Sequence, residues 1–216
     1  MNENQPRHHG HGAPLAAARL APPALPPSAE MVERLSTRRS LPLRALGAPG
    51  PTPDELETIL TLAIRTPDHG RLAPWRLIVI EGEARSVLGE RLDALYAVQN
   101  PDMAAGKGDM WRSYLLRAPV TVVVVSRPDR SSKVPEWNQI LSAGALGMAL
   151  TVAANAMGFV TQWLLKWPGR DPEAAALLGV EAGERIAGFI HIGRPLEGAP
   201  ERPRPALEAV VSRWTP

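Results

Sequence analysis

The 216-residue sequence contains no cysteine. That excludes a disulfide framework, a thiolate nucleophile and any metal site built on cysteine. It also suits a reducing compartment, so a cytoplasmic location is expected. No charge sign dominates: 24 Lys and Arg face 22 Asp and Glu, a formal net charge of +2. A nucleic-acid binder usually shows a strong basic patch, and this balance does not suggest one. Lysine is scarce, limited to Lys107, Lys133 and Lys166. The other cations are arginines, whose planar guanidinium grips phosphate and carboxylate in a fork; a high-GC coding bias accounts for the same composition equally well.

Several motifs are missing too. No basic stretch followed by an apolar run opens the chain, so no secretory signal is expected. The most apolar stretch, Ile140 to Met157, contains Ser142, Thr151 and Asn155. It reads as a buried helix of a soluble protein and not as a membrane span. No Gly-x-Gly-x-x-Gly follows a strand and no Walker-type loop is present, which disfavours Rossmann and triphosphatase sites. A His-Glu-x-x-His and a Gly-x-Ser-x-Gly elbow are also lacking. No internal repeat is seen and no metal site is expected, the only loose candidate being the run of His8, His9 and His11.

What remains is an ordinary globular composition, 44% hydrophobic and 21% charged, long enough to bury a core without staples. One domain is expected over 29–216, preceded by a Pro/His-rich disordered tail over 1–28 with Pro22, Pro23, Pro26 and Pro27. Ser28 caps a first helix through Met31, Val32 and Leu35. A Pro/Gly-rich loop follows. Thr52-Pro53-Asp54-Glu55 then opens the best-marked helix, with Thr52 as N-cap, Pro53 in the first turn and Glu55 closing a capping box. Its apolar face is Leu56, Ile59, Leu60, Ala63 and Ile64. Strands are expected at Trp75–Glu81, Pro119–Ser126, Phe159–Leu164 and Arg185–Ile192. Helices are expected at Glu83–Tyr96, Met110–Leu116, about 137–157 and after Asp171-Pro172-Glu173. Residues 97–109 read as a mobile loop that shapes access to a site. Alternating helices and strands point to a layered α/β or α+β domain.

Three clusters could carry chemistry. Arg38-Arg39-Ser40 offers two guanidiniums and a hydroxyl, suited to a phosphate monoester; a solvated basic helix end is the simpler reading of these residues alone. Arg65-Thr66-Pro67-Asp68-His69-Gly70 gathers Arg, Asp and His on a turn after a helix, either to face a cavity or as plain turn chemistry with Asp68 bonding its own backbone. His69 carries an imidazole, which suits a ring donor or proton source. The third pairs Lys133-Val134-Pro135-Glu136-Trp137-Asn138-Gln139, ahead of a helix rich in small residues, with Gly158-Phe159-Val160-Thr161-Gln162-Trp163. Ser142, Ala143, Gly144, Ala145, Gly147 and Ala149 permit close approach by a neighbouring helix or a flat ligand. Trp163 and Trp167 are more often core or interface residues than ligand stackers.

In their order and spacing these segments resemble the nitroreductase family, specifically its compact YdjA-like branch, from about Met31 to Gly193. Arg38-Arg39-Ser40, Ala63 to His69 before Pro74-Trp75, Ile80-Glu81-Gly82-Glu83, Lys133-Val134-Pro135, and Gly188-Phe189 with Gly193 carry the resemblance. It implies an α+β sandwich, a mostly antiparallel central sheet flanked by helices, interlocked as a homodimer with FMN at the interface. It implies that Arg38, Arg39 and Ser40 hold the FMN phosphate and ribityl side, that Arg65 and His69 reach the flavin from the other subunit, and that Trp163, Leu164 and Leu165 line it. Here the chain departs, because leucines stand where that branch carries an Arg and a Ser after the Trp; Lys166 or Arg194 is the expected replacement. Ala153 to Gly158 matches a stretch linked with the nicotinamide cofactor. The implied activity is NADH- or NADPH-fed, ping-pong reduction of nitroaromatics, quinones or similar small-molecule acceptors, with no nucleic-acid or membrane partner. Reductive dehalogenation, enoate reduction and flavin breakdown are other chemistries of such proteins. A low-turnover flavin-binding or sensor protein is the alternative outside enzymology.

Overall fold

Seven residues with four consecutive valines form the centre of the molecule. β3 (Val120–Ser126) is buried along its whole length, as its β-branched composition requires of a strand covered on both faces. It is flanked by β2 (Trp75–Glu81) and β5 (Arg185–Pro195). The computed structural model describes residues 26–104 and 108–216. Around these strands lie α1 (Ala29–Thr37), β1 (Leu46–Gly47), α2 (Pro53–Ala63), α3 (Ala84–Gln99), α4 (Pro101–Ala104), α5 (Met110–Leu116), α6 (Glu136–Ala156), β4 (Val160–Leu164) and α7 (Pro172–Leu177). Most of the expected tail, including His8, His9 and His11, lies outside the described residues, as does Lys107.

The sheet runs β1-β5-β3-β2, with β4 also on β5, and its strand pairs are antiparallel. One edge of β5 takes β3. The other is shared, residues 189–193 pairing with β4 and Arg194 and Pro195 with β1. Alternation along β3 sorts its valines between two cores. Val122 and Val124 meet Leu56, Ile59 and Ala63 of α2 and Leu146 and Leu150 of α6. Val123 and Val125 meet Leu92 of α3, Leu115 of α5 and Phe189. The result is an α+β sandwich, two helices on one face and α3, α5 and α7 on the other.

The second core is aromatic. Tyr96, Trp111 and Trp167 touch edge-on or tilted at 4.8–5.6 Å, geometries favoured by the ring quadrupole. It also buries His191 of β5, whose two ring nitrogens meet the Thr121 hydroxyl at 2.8 Å and the Tyr114 hydroxyl at 2.9 Å. Burial holds the His191 pKa down at about 3 and raises that of Tyr114. At the sheet edge, Arg76 of β2 clasps Glu184 beside β5 at 2.6 Å and 2.8 Å. That hydrogen bond is the main cause of a raised Arg76 pKa and a lowered Glu184 pKa.

The α2 capping box forms, Glu55 N–H donating to the Thr52 hydroxyl at 3.3 Å and Thr52 N–H to the Glu55 carboxylate at 2.8 Å. Four expectations need correction. α3 continues through Gln99 and Pro101–Ala104 turns helically as α4, so much of the loop expected over 97–109 is helix. Ile64 is the cap of α2 and is half exposed, off the buried face. The short strand β1 sits inside the Pro/Gly-rich loop, where two residues leave no periodicity to read. α6 is only half covered: Trp137, Ile140, Leu141 and Met148 face outward. It is the one helix among the described residues long and apolar enough to cross a membrane.

Candidate functional site

α1 ends where Arg38 leaves helical geometry for extended backbone. Two residues on, Ser40 forms a parallel bridge with Thr161 of β4. This pins Arg38-Arg39-Ser40 to the sheet edge not used by β5. Arg39 is anchored by its own neighbourhood, donating to the carbonyls of Ser36 at 3.2 Å and Arg38 at 3.0 Å and pairing with Glu201. Beside these groups opens a polar cavity of about 190 Å³ lined by Ser36, Arg38, Arg39, Ser40, Arg202 and Arg204. Four guanidiniums and two hydroxyls form a donor set fitted to a phosphate monoester. Arg202 and Arg204 escaped the sequence reading. Their one signal was Arg202-Pro203-Arg204, two cations on a chain stiffened by proline, in a segment where no element is expected. Next to this cavity, an apolar groove of about 230 Å³ runs between α1 and α6, bordered by Met31, Leu35, Arg38 and Val152.

The second cluster lies on the turn after α2. Thr66 is buried and its hydroxyl closes the helix end on the Ala63 carbonyl at 2.8 Å. Ser142 of α6 donates to the Pro67 carbonyl and accepts from the Trp75 indole, both at 3.0 Å. Asp68 accepts from the Ala73 N–H at 2.5 Å, so its carboxylate is used for turn-making. The turn holds Gly70, Arg71 and Ala73 at positive φ. That is costly for the two residues with a Cβ. Arg65 and His69 emerge exposed, and His69 Nδ1 sits 3.2 Å from the Asn138 amide at the start of α6.

Along β4 the residues diverge. The Trp163 ring fills the space left by two glycines: a Cβ on Gly147 of α6 would come within 2.5 Å of it, and one on Gly188 of β5 within 1.9 Å. Its indole N–H donates to the Ala187 carbonyl at 3.3 Å. The small residues around Gly147 therefore admit a tryptophan. Leu164 packs toward the aromatic core, Leu165 is partly exposed and Lys166 is exposed where the chain leaves the strand. Arg194 stands at the opposite end of β4. It donates to the Gly158 carbonyl at 2.8 Å, stacks over the Phe159 ring at 4.0 Å and lies 3.9 Å from Glu55. Lys166 and Arg194 are thus separated by the length of the strand, and Arg194 is the one at the Ser40 end.

The profile of the nitroreductase family matches residues 35–194. This chain belongs to the nitroreductase family. It is 35% identical over 170 residues to the Escherichia coli K12 protein named "Putative NAD(P)H nitroreductase YdjA", covering 77% of this chain and 88% of that one. It is 36% identical over 167 residues to a Haemophilus influenzae protein with a similar name, covering 76% and 88%. Among solved structures, a nitroreductase-like family protein from Bacillus cereus superposes with a TM-score of 0.74 at 21% identity, over 88% of this chain and 98% of that one. A nitroreductase with bound FMN from Bacteroides fragilis gives 0.66 at 21% identity, over 87% and 100%.

In this nitroreductase-family chain the family match begins just before Arg38 and stops at Arg194, so Arg202 and Arg204 lie beyond it. The two polar clusters do not meet within one chain. His69 is held near Asn138 at the start of α6, whereas Arg34 donates to the Asn155 carbonyl near its end. At 1.5 Å rise per residue, that is roughly 25 Å along the helix axis. A strongly shifted histidine is often a functional one. His191 is instead fully enclosed, with both ring nitrogens partnered, and its role is structural.

Proposed function

We propose that this chain is an FMN-dependent oxidoreductase, working as a cytoplasmic homodimer, that uses NADH or NADPH to reduce nitroaromatic, quinone or similar acceptors in a ping-pong cycle. The observation that carries this reading is the polar cavity at the β4 edge, where Arg38, Arg39 and Ser40 face Arg202 and Arg204. Arg39 is held by two carbonyls before any ligand arrives, so little order is lost on binding. The cavity would take the phosphate of such a cofactor, held by Arg38, Arg39, Ser40, Arg202 and Arg204. When bound, FMN supplies the redox chemistry, accepting a hydride equivalent from the nicotinamide and passing it to the acceptor.

The protein's share is to bind, orient and exclude water. Arg38, Arg39, Ser40, Arg202 and Arg204 neutralise the phosphate. Trp163, wedged between Gly147 and Gly188, holds β4 at its height, and Leu164, Leu165 and Lys166 follow as the rim. Arg194 braces the Gly158–Phe159 corner, so it fixes Ala153 to Gly158, the stretch assigned to the nicotinamide cofactor. Arg65 and His69 come from the partner subunit, because in their own chain they lie at the wrong end of α6. The outward apolar residues of α6, with Met31, Val32 and Leu35 of α1, are the surface two copies share. The same surface explains why α6 is only half covered without a membrane.

The visible spectrum of the purified protein tests this reading. A flavin band that bleaches on anaerobic addition of NADPH or NADH supports it. A flavin that neither reduces supports the low-turnover flavin-binding reading, which the leucines at 164 and 165 favour. No flavin, even after soaking in FMN, sinks both.

A further inference from the structure

Two arginines of the polar cavity already share a carboxylate. Glu201 places one carboxylate oxygen on the Arg39 guanidinium. Its other oxygen lies 3.8 Å from the Arg204 guanidinium and accepts the Arg202 N–H at 3.0 Å. It thus bridges one arginine of the α1 side to one of the C-terminal segment, inside the set of groups assigned to the ligand. The partners differ in freedom: the Arg39 side chain is 22% exposed and tethered to two carbonyls, while Glu201 is 54% exposed. The arginine is therefore the fixed element and the carboxylate the replaceable one. Arg38 and Arg202 face the same cavity, and among the described residues neither has a carboxylate partner.

We propose that Glu201 is a specificity-determining residue of this cavity: an internal counter-ion that only a phosphate dianion displaces readily. The proposal rests on the reading that the cavity holds a phosphate. A phosphate monoester brings nearly two charges and three acceptor oxygens, enough to engage Arg38 and Arg202 as well as the arginines Glu201 occupies. A monoanion gains only what Glu201 already provides. A neutral flavin such as riboflavin gains nothing there. Glu201 thereby lowers the affinity for every anion, and lowers it most, relative to what is left, for weak ones. Because the pair is exposed, its effect is modest and fades with salt.

The test uses the full chain freed of flavin, as wild type, Glu201→Gln and Glu201→Asp. FMN and riboflavin binding are followed by quenching of flavin fluorescence, and inorganic phosphate and acetate are titrated as competitors of FMN. The expected result is FMN binding roughly two- to fivefold tighter in Glu201→Gln at low salt, riboflavin binding unchanged, acetate competing more strongly, and Glu201→Asp close to wild type. Unchanged or weaker FMN binding in a Glu201→Gln protein with wild-type circular dichroism overturns the proposal and makes Glu201 an anchor of the C-terminal segment. Failure of the functional reading looks different: if no variant binds FMN, calorimetry with inorganic phosphate decides. Tighter phosphate binding in Glu201→Gln keeps the counter-ion role without the flavin, and no phosphate binding in any variant removes both.

Discussion

At the scale of single residues, charge and hydrogen-bond valence decide what each side chain is for. Arg38 borders both the polar cavity and the apolar groove. Removing one charge-assisted contact to a phosphate costs about 1.5–3 kcal/mol, so Arg38→Ala is expected to weaken FMN retention about 10- to 100-fold, read as the dissociation constant by fluorescence. Unaltered affinity would take Arg38 out of the site. His191 gives a prediction of the opposite kind. Its ordinary pKa of 6.5 is held at about 3 by burial, so below about pH 6.5 the unfolded chain takes up a proton that the native chain refuses. The stability present above pH 6.5 is therefore lost as pH falls toward 3, by up to about 1.4 kcal/mol per pH unit from this group. Denaturant melts at pH 7 and pH 5 measure it, and His191→Gln should show a flatter dependence across the same interval.

At the scale of elements, close packing turns small residues into requirements. Gly188 lies under the Trp163 indole, where a Cβ would stand 1.9 Å from Nε1. Gly188→Ala must push β4 away from β5 or rotate the tryptophan, a strain of about 1–3 kcal/mol or more. A lower melting temperature together with a red-shifted tryptophan emission is the expected pair of readouts. The α2 helix depends on its start, and Thr52→Ala, which removes one half of the capping box, should cost about 1 kcal/mol in denaturant unfolding. Both positions illustrate how much was legible. The capping box, the strand at Trp75–Glu81 and the helix at Met110–Leu116 could be read from local chemistry, because the signal and the structure lie in the same few residues. The two-residue β1 could not, since its only reason to be a strand is Arg194 and Pro195 opposite it.

At the scale of the whole molecule, the proposal takes Arg65 and His69 from a second copy of the chain. The exposed apolar residues of α6, Trp137, Ile140, Leu141 and Met148, recur along its outer face and leave a surface suited to a second copy. Met148→Arg places a charge on that face, well along α6 from both Asn138 and Asn155. The expected outcome is a shift from dimer to monomer in light scattering, with loss of bound flavin in parallel. A monomer that keeps its flavin would show that Arg65 and His69 of a partner are not needed.

The sequence by itself determined most of the elements and the family. β-branched runs, caps, prolines and helical spacing act over a few residues, and the motif order from Arg38 to Gly193 needs no coordinates. It also exposed Arg38-Arg39-Ser40 as a phosphate candidate. Only the tertiary structure decided which polar groups share a cavity. Arg202 and Arg204 reach Arg38 because the chain turns back along α1 after β5, and Glu201 enters with them. The resemblance assigns Trp163 and Arg194 to a ligand from their place in the chain; the structure adds that the first packs between two glycines and the second braces a corner. Charge and chemistry are written residue by residue; which charges are neighbours depends on contacts that span the chain.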